Sequence, residues 1–579
     1  MSYQAPLKDM RFVLNELAGL AEVAKLPGYQ DATPDTVDAI LEEASKFASE
    51  VLDPINFSGD REGSKYTDGE VRTPKGFKDA YRKFCEGGWN ALPFEAEWGG
   101  QGLPRLVSTP VQEMWKSSNM SFSLCPLLTQ GAIEALLLRG SEPLKKAYLP
   151  SMVEGKWTGT MNLTEPQAGS DLALVRTKAE RVGGGKSGEH YLISGQKIFI
   201  TYGEHDLAEN IVHLVLARTP DAPEGVKGIS LFVVPKFLGE KRNSARCASI
   251  EHKLGIHASP TAVMVYDKAV GYLVGEENRG LEYMFIMMNA ARFAVGLEGV
   301  AIAERAFQRA LAFAKERLQG RDLVGGGGAV PIIRHPDVRR MLMLMKSQAE
   351  AMRALAYTTA AALDFAHKTK SKTHQAFVDL MIPVVKGWCT ETGIEVASLG
   401  VQVHGGMGFV EETGAAQYLR DARITTIYEG TTGIQAMDLV GRKIAREGGA
   451  TAKAWLGEVK KLDTQLSAHP EIRKALADGV RAVEECVDFI VGTKDPRVQF
   501  AGAVPFLKLM GIVAGGWQMA RAALAAAKGT GDDSFDQAKI ATVRFYADHV
   551  LVQAPALRNT VVNGAAGVMA LTEDQFLAA

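Results

Sequence analysis

From Thr33 onward, apolar side chains recur at Val37, Ile40, Leu41, Ala44, Phe47, Ala48, Val51 and Leu52, a spacing that gathers them on one face of a helix. Thr33 stands at the N-cap, Pro34 at the first helical position and Pro54 just past the end, so both ends are marked. Helical spacing continues to about Val153, broken by the loop LPFEAEWGGQGLP. After Gly155 the pattern changes. The runs HYLISGQKIFIT, NIVHLVLA, GISLFVVP and TAVMVYD are short, rich in β-branched and aromatic residues, and separated by Gly, Pro, Asp and Asn, which predicts a β domain ending near Gly275. Helical periodicity returns at Leu281 and runs to about Arg446 with one break at VGGGGAVP, leaving room for four long helices. Beyond Gly448 the chain is again helical and alanine-rich, and its charges roughly cancel.

These changes divide the chain into an extension over 1–34, a helical domain over 35–154, a β domain over 155–278, a helical bundle over 279–447 and an additional helical domain over 448–579. The fold class is mainly α with a central β domain. Helical, β, helical, helical is not the alternating order of a doubly wound dinucleotide fold, so any nucleotide site must be built differently.

The length of 579 residues exceeds what one core supports, which fits several packed units. With 65 basic against 67 acidic side chains, no nucleic acid or anionic membrane is favoured as a partner. Cys85, Cys125, Cys247, Cys389 and Cys486 lie far apart with neither a C-x-x-C pair nor metal-ligand spacing, a pattern suited to a reducing compartment and to no metal. The first residues lack the apolar core of a signal peptide, and Ala501 to Ala527 is interrupted by Lys508 and Arg521. That stretch is expected to be a buried helix pair rather than a membrane span, and the protein is expected to be cytoplasmic.

Two stretches carry candidate chemistry. MNLTEPQAGSD, from Met161, is turn-like and polar, and GQKIFIT, ending at Thr201, reads as a strand. Thr164, Ser170 and exposed backbone amides could hydrogen-bond the edge of a flat heteroaromatic ring, although Thr-Glu-Pro by itself is an ordinary turn. VQVHGGMGF and LRDARITTIYEGTTGIQ form the second stretch. Its glycines do not match G-x-G-x-x-G and no strand precedes them, so it is no Rossmann fingerprint.

Taken together and in order, MNLTEPQAGSD with GQKIFIT, HGGMGF with YLRDARITTIYEGT, and WGGQGLP resemble the acyl-CoA dehydrogenase family over roughly residues 35 to 446. The resemblance implies a helical domain, a barrel-like β domain and a four-helix bundle, with FAD as cofactor and an acyl-CoA as substrate. It further implies that Met161, Leu163 and Thr164 lie at the flavin, Ser170 beside cofactor and pantetheine, and Thr201 near flavin N5. Phe199 stands where the family usually has tryptophan. Arg317, Gln402, Gly405 and Gly406 resemble contacts to the cofactor diphosphate across a dimer interface, and Thr431 an adenine-side contact. Glu429 matches the base that takes the α-proton, with Gly430 and Arg292 beside the substrate. The alternative base position of some members is Ala291, which takes no proton.

The extra segment before the first helix and the helical addition resemble a subgroup that includes dehydrogenases of 3-(methylthio)propanoyl-CoA, which gives the expected substrate. The resemblance also implies a homodimer and electron-transferring flavoprotein as acceptor. Other short- to long-chain acyl-CoA substrates, an acyl-CoA oxidase, a DNA-associated flavoprotein of the same superfamily and a silent flavin-bearing scaffold are the competing readings. Near-neutral charge beyond Gly448 speaks against DNA.

Overall fold

The computed structural model describes residues 2–183, 190–325 and 327–577; Gly326, in the glycine run noted above, lies outside them. The helix over Pro34–Phe47 begins as its sequence predicts, with the Thr33 hydroxyl accepting from Thr36 N–H. Its apolar face joins the Arg105–Ser118 and Met120–Arg139 helices in the main core. A small hairpin, Lys65–Thr67 with Glu70–Arg72, lies in this first helical region and carries no pattern long enough to be read from sequence.

Seven strands form the central sheet: β1 (Trp157–Asn162), β2 (Lys178–Val182), β3 (His190–Thr201), β4 (Asn210–Ala217), β5 (Ser230–Pro235), β6 (Ala245–Ile250) and β7 (Thr261–Leu273). Their order is β1-β4-β5-β7-β3-β2, with β6 also on β7. Only β1 and β4 run parallel among these pairs. A parallel bridge from Lys178 to Arg218 joins β2 to the end of β4 and closes the sheet on itself, which gives the barrel-like form. Every residue of β4 is buried. Val215 and Ala217 face the interior of the β domain, while Val212, Leu214 and Leu216 face the helices, which is why NIVHLVLA is apolar throughout.

Three long helices follow, Gly280–Glu316, Pro336–Thr369 and Lys372–His404. The expected fourth is broken into Ala415–Arg423, a 3-10 turn, Thr432–Met437 and a π-helical stretch to Ala445. Thr431 caps a new helix inside what periodicity reads as one element. The first and third long helices touch backbone to backbone. A Cβ on Gly299 would lie 2.2 Å from the Cys389 carbonyl oxygen, and one on Gly296 would lie 2.6 Å from Val385 Cγ1. Glycine at both positions therefore brings Lys386, between those two contacts, up against the Gly280–Glu316 helix.

The additional region contributes helices that include Pro470–Gly492, Ala503–Lys528 and Asp533–His549. Ala503–Lys528 is one continuous buried helix rather than the expected pair, because Lys508 and Arg521 reach its rim, where they bond Glu395 and the Leu17 carbonyl. A Cβ on Gly511 would meet Trp388 Cγ at 2.0 Å, so this helix packs directly on the bundle. Met120–Arg139 and Gly280–Glu316 are long and apolar enough to cross a membrane, and most of each is buried within the protein as core.

Candidate active site

Two halves of the first candidate stretch are stapled by an ion pair that sequence reasoning passed over. Lys197, fully buried on β3, donates to the Leu163 carbonyl at 2.9 Å and pairs with Glu165 Oε1 at 2.8 Å. Glu165 also accepts from Arg176 N–H, Thr177 N–H and Thr177 Oγ1. Burial raises its proton affinity, yet Lys197 and these donors outweigh that and hold the carboxyl at about 2. Burial in turn lowers Lys197 to about 8, against the pull of Glu165. The signal was present in the strand: Tyr191, Ile193 and Lys197 share one parity, which points the lysine inward.

That parity should also bury Phe199. Between the pairs Lys197–Met264 and Ile200–Ala262, however, two residues of β3, Ile198 and Phe199, oppose one of β7, Val263. The extra residue forms a bulge with Phe199 at φ +60, and its ring is turned out, 59% exposed. Leu163 is buried, Met161, Thr164 and Thr201 are half-buried, and Ser170 is exposed. The Thr164 carbonyl accepts from Ile198 N–H, which ties the loop to the bulged strand.

The second group surrounds Glu429. Glu429 and Gly430 are consecutive left-handed residues, at φ +56 and +88. A non-glycine residue in that region stores strain, and here the surroundings impose it. The Lys386 ammonium donates to the Thr425 and Gly430 carbonyls at 2.8 and 2.7 Å, and Gln435 Nε2 donates to the Glu429 and Gly430 carbonyls at 3.2 Å each. A Cβ on Gly430 would lie 2.7 Å from that amide nitrogen. Thr431 spends its hydroxyl capping the Thr432–Met437 helix through Ile434 N–H. Lys386 and Gln435 are thus positioning residues that no motif singled out.

Burial pushes the half-buried Glu429 carboxyl up to about 7, against the charges of Lys386 and Arg292. Arg292 is itself buried, with Nη1 3.3 Å from Asn289 Oδ1 and 3.7 Å from Asp438 Oδ2, and its Nε has no partner among the described residues. Burial lowers its proton affinity while Asp438 and Glu429 counter it. Glu429 is therefore a carboxylate able to take a proton near neutrality, beside an arginine with donor capacity to spare.

Arg317, Gln402, Gly405 and Gly406 form a third, exposed group. Phe313 stacks on His404 at 4.5 Å, which brings together the ends of the first and third long helices, from which the segments carrying Arg317 and the glycines leave. Twenty-one residues of helix separate Phe313 from Arg292, roughly 30 Å. Within one chain the third group thus lies far from Glu429. Met407, Phe409 and Val410 beside it are exposed apolar side chains, Phe409 by 89%.

Four family models match in the order of the fold. They are the acyl-CoA dehydrogenase N-terminal domain over 34–156, middle domain over 160–269 and C-terminal domain over 278–445, then an acetyl-CoA dehydrogenase C-terminal-like domain over 450–572. The chain is 52% identical to the 3-methylmercaptopropionyl-CoA dehydrogenase of Ruegeria pomeroyi, over 97% of this chain and 98% of that one. It is 34% identical to a butyryl-CoA dehydrogenase of Syntrophomonas wolfei, over 95% of each chain. A solved acyl-CoA dehydrogenase from Bacillus anthracis, complexed with FAD, shares the fold at a TM-score of 0.76 and 20% identity, over 98% of this chain and 93% of that one. The chain belongs to the acyl-CoA dehydrogenase family.

Proposed function

We propose that this chain is an FAD-dependent dehydrogenase that converts 3-(methylthio)propanoyl-CoA to 3-(methylthio)acryloyl-CoA, with Glu429 as the base. The observation that carries this reading is the strained, half-buried Glu429, held by Lys386 and Gln435 and raised to about 7. The substrate is taken from the Ruegeria pomeroyi relative, 98% of which is matched.

The residues present fit a flavin. Among the described residues the hydroxyls of Thr164 and Thr201 have no hydrogen-bond partner, and the Phe199 ring offers an open aromatic face on the same bulged strand. Leu163, Thr164 and Thr201 would hold the ring system, and Ser170 would lie at its edge. Arg317, Gln402, Gly405 and Gly406 would hold the diphosphate of the partner subunit's cofactor, which makes a homodimer the working unit. Bound FAD supplies the acceptor for the β-hydrogen, which leaves carbon 3 with its electron pair.

The remaining chemistry belongs to this chain. Glu429 takes the α-proton, and the electrons of that C–H bond become the C2–C3 double bond. Charge that builds on the thioester oxygen needs a fixed donor, and the Glu429 N–H donates to no group among the described residues. Arg292 faces Glu429, and Gly430 follows it in the chain; both are assigned to the substrate. Electron-transferring flavoprotein is proposed as the acceptor that reoxidises the enzyme. A panel of 3-(methylthio)propanoyl-, butanoyl- and palmitoyl-CoA, scored by bleaching of bound flavin under nitrogen, tests the reading. The highest kcat/KM is expected with the first, and preference for palmitoyl-CoA would overturn the substrate. Rapid turnover in air without added acceptor would identify an oxidase instead.

A further inference from the structure

Behind the Glu429 segment lies a second carboxyl that the chemistry above does not use. Glu298, on the Gly280–Glu316 helix, is fully buried. The Tyr428 hydroxyl, one residue before Glu429, donates to its Oε2 at 2.5 Å, while its Oε1 has no partner among the described residues. Two cations face it from two other helices. Lys116 comes from Arg105–Ser118, is 2% exposed, and has Gln112 Oε1 at 3.5 Å; Lys386 comes from Lys372–His404. Glu429 faces it from the loop. Four groups, Glu429, Tyr428, Lys116 and Lys386, therefore face the buried Glu298, with Arg292 beside Glu429.

Without Glu298, Lys116 would lose the carboxylate that faces it, and Lys386 would keep Glu429 as its largest opposing charge. A base beside a cation whose second counter-charge has been removed is a stable carboxylate and a poor proton acceptor. Burial raises the Glu298 carboxyl to about 7 against Lys116, so its charge fades over the same range in which Glu429 titrates.

We propose that Glu298 is a positioning residue for the reaction: through the Tyr428 hydroxyl it fixes the segment that carries Glu429, and it supplies the negative charge that balances Lys116 behind that segment and offsets Lys386 beside the base. The proposal rests on Glu429 being that base. It predicts that the kcat/KM of Glu298→Gln, followed against pH, has its acid limb moved to lower pH, because losing a negative charge that faces Glu429 and offsets Lys386 favours the Glu429 carboxylate. A move of at least half a unit is expected, about threefold in the protonation constant. Tyr428→Phe removes the donor that stabilises ionised Glu298, so its limb moves the same way by less; this variant decides the matter if Glu298→Gln does not fold.

A carboxylate that only filled space would lower kcat without moving the limb. Unmoved limbs, or limbs moved to higher pH, overturn the proposal. Glu429→Gln is measured alongside: turnover there defeats the base assignment, whereas an inactive Glu429→Gln with unmoved limbs in the other two defeats only the role of Glu298.

Discussion

Lys386 donates to the Gly430 carbonyl at 2.7 Å, one residue beyond the carboxylate whose charge it also faces. One side chain thus both holds the left-handed pair Glu429–Gly430 in place and draws the Glu429 proton affinity down from where burial alone would set it. Lys386 is at this spot because Gly296 and Gly299 let two long helices meet backbone to backbone.

Lys386→Met removes a positive charge and two charge-assisted hydrogen bonds, worth about 1.5–3 kcal/mol each when buried. The sign of the pH effect is opposite to that for Glu298→Gln: losing the cation disfavours the carboxylate, so the acid limb of kcat/KM moves to higher pH. At pH 7 the expected loss of kcat/KM is at least tenfold, read from initial rates across pH 5.5 to 9.

The Glu165–Lys197 pair joins the two halves of the flavin-side stretch. Removing one partner of a buried pair leaves an uncompensated charge, a cost of about 3–5 kcal/mol. Lys197→Met should therefore lower the melting temperature by several degrees and release flavin on gel filtration. The wild-type pair also carries a pH signature. The Glu165 carboxyl sits at about 2 in the folded chain, below its unfolded value, so its contribution is complete above the unfolded pKa near 4.5 and fades as pH falls from there toward 2. Glu165→Gln should flatten the fall in stability over that acid window, measured by thermal melts at successive pH.

Phe199 combines a left-handed backbone with an exposed ring. Phe199→Gly relieves strain of about 1 kcal/mol and loses little packing, so the flavin-free protein should melt no lower than wild type. The same change removes the aromatic face, and FAD affinity should fall at least tenfold, measured by titrating the apoprotein.

A buried network ties the extension to the additional helical region. Asp9 bridges Arg353 and Lys539, Arg353 also meets Glu113 and Glu304, and Lys539 meets Glu350. Lys539→Met strands Asp9 and Glu350 and should destabilise the fold by about 3 kcal/mol or more. Limited proteolysis should then cut first between this region and the rest.

Periodicity made the order of units legible, and the Thr33 cap and the β4 run were readable to the residue. The fourth bundle helix was not, because its breaks depend on the Thr431 cap and the left-handed pair before it, local choices imposed by Lys386 and Gln435 from elsewhere in the chain. Phe199 illustrates the same limit: alternation predicts it inward, and a bulge set by the pairing with β7 turns it out. Lys197 carried a strand-parity signal, whereas its partner Glu165 sits in an ordinary turn sequence that conceals it. Glu298 carried none, since a glutamate inside an apolar helical run looks alike whether it meets solvent or a buried lysine.

The central claim is that Glu429 takes the α-proton, and Glu429→Gln mixed with 3-(methylthio)propanoyl-CoA under nitrogen tests it most directly. The account predicts full FAD content, retained binding of the thioester and bleaching slowed by at least a thousandfold. Bleaching of the bound flavin at the wild-type rate would contradict it.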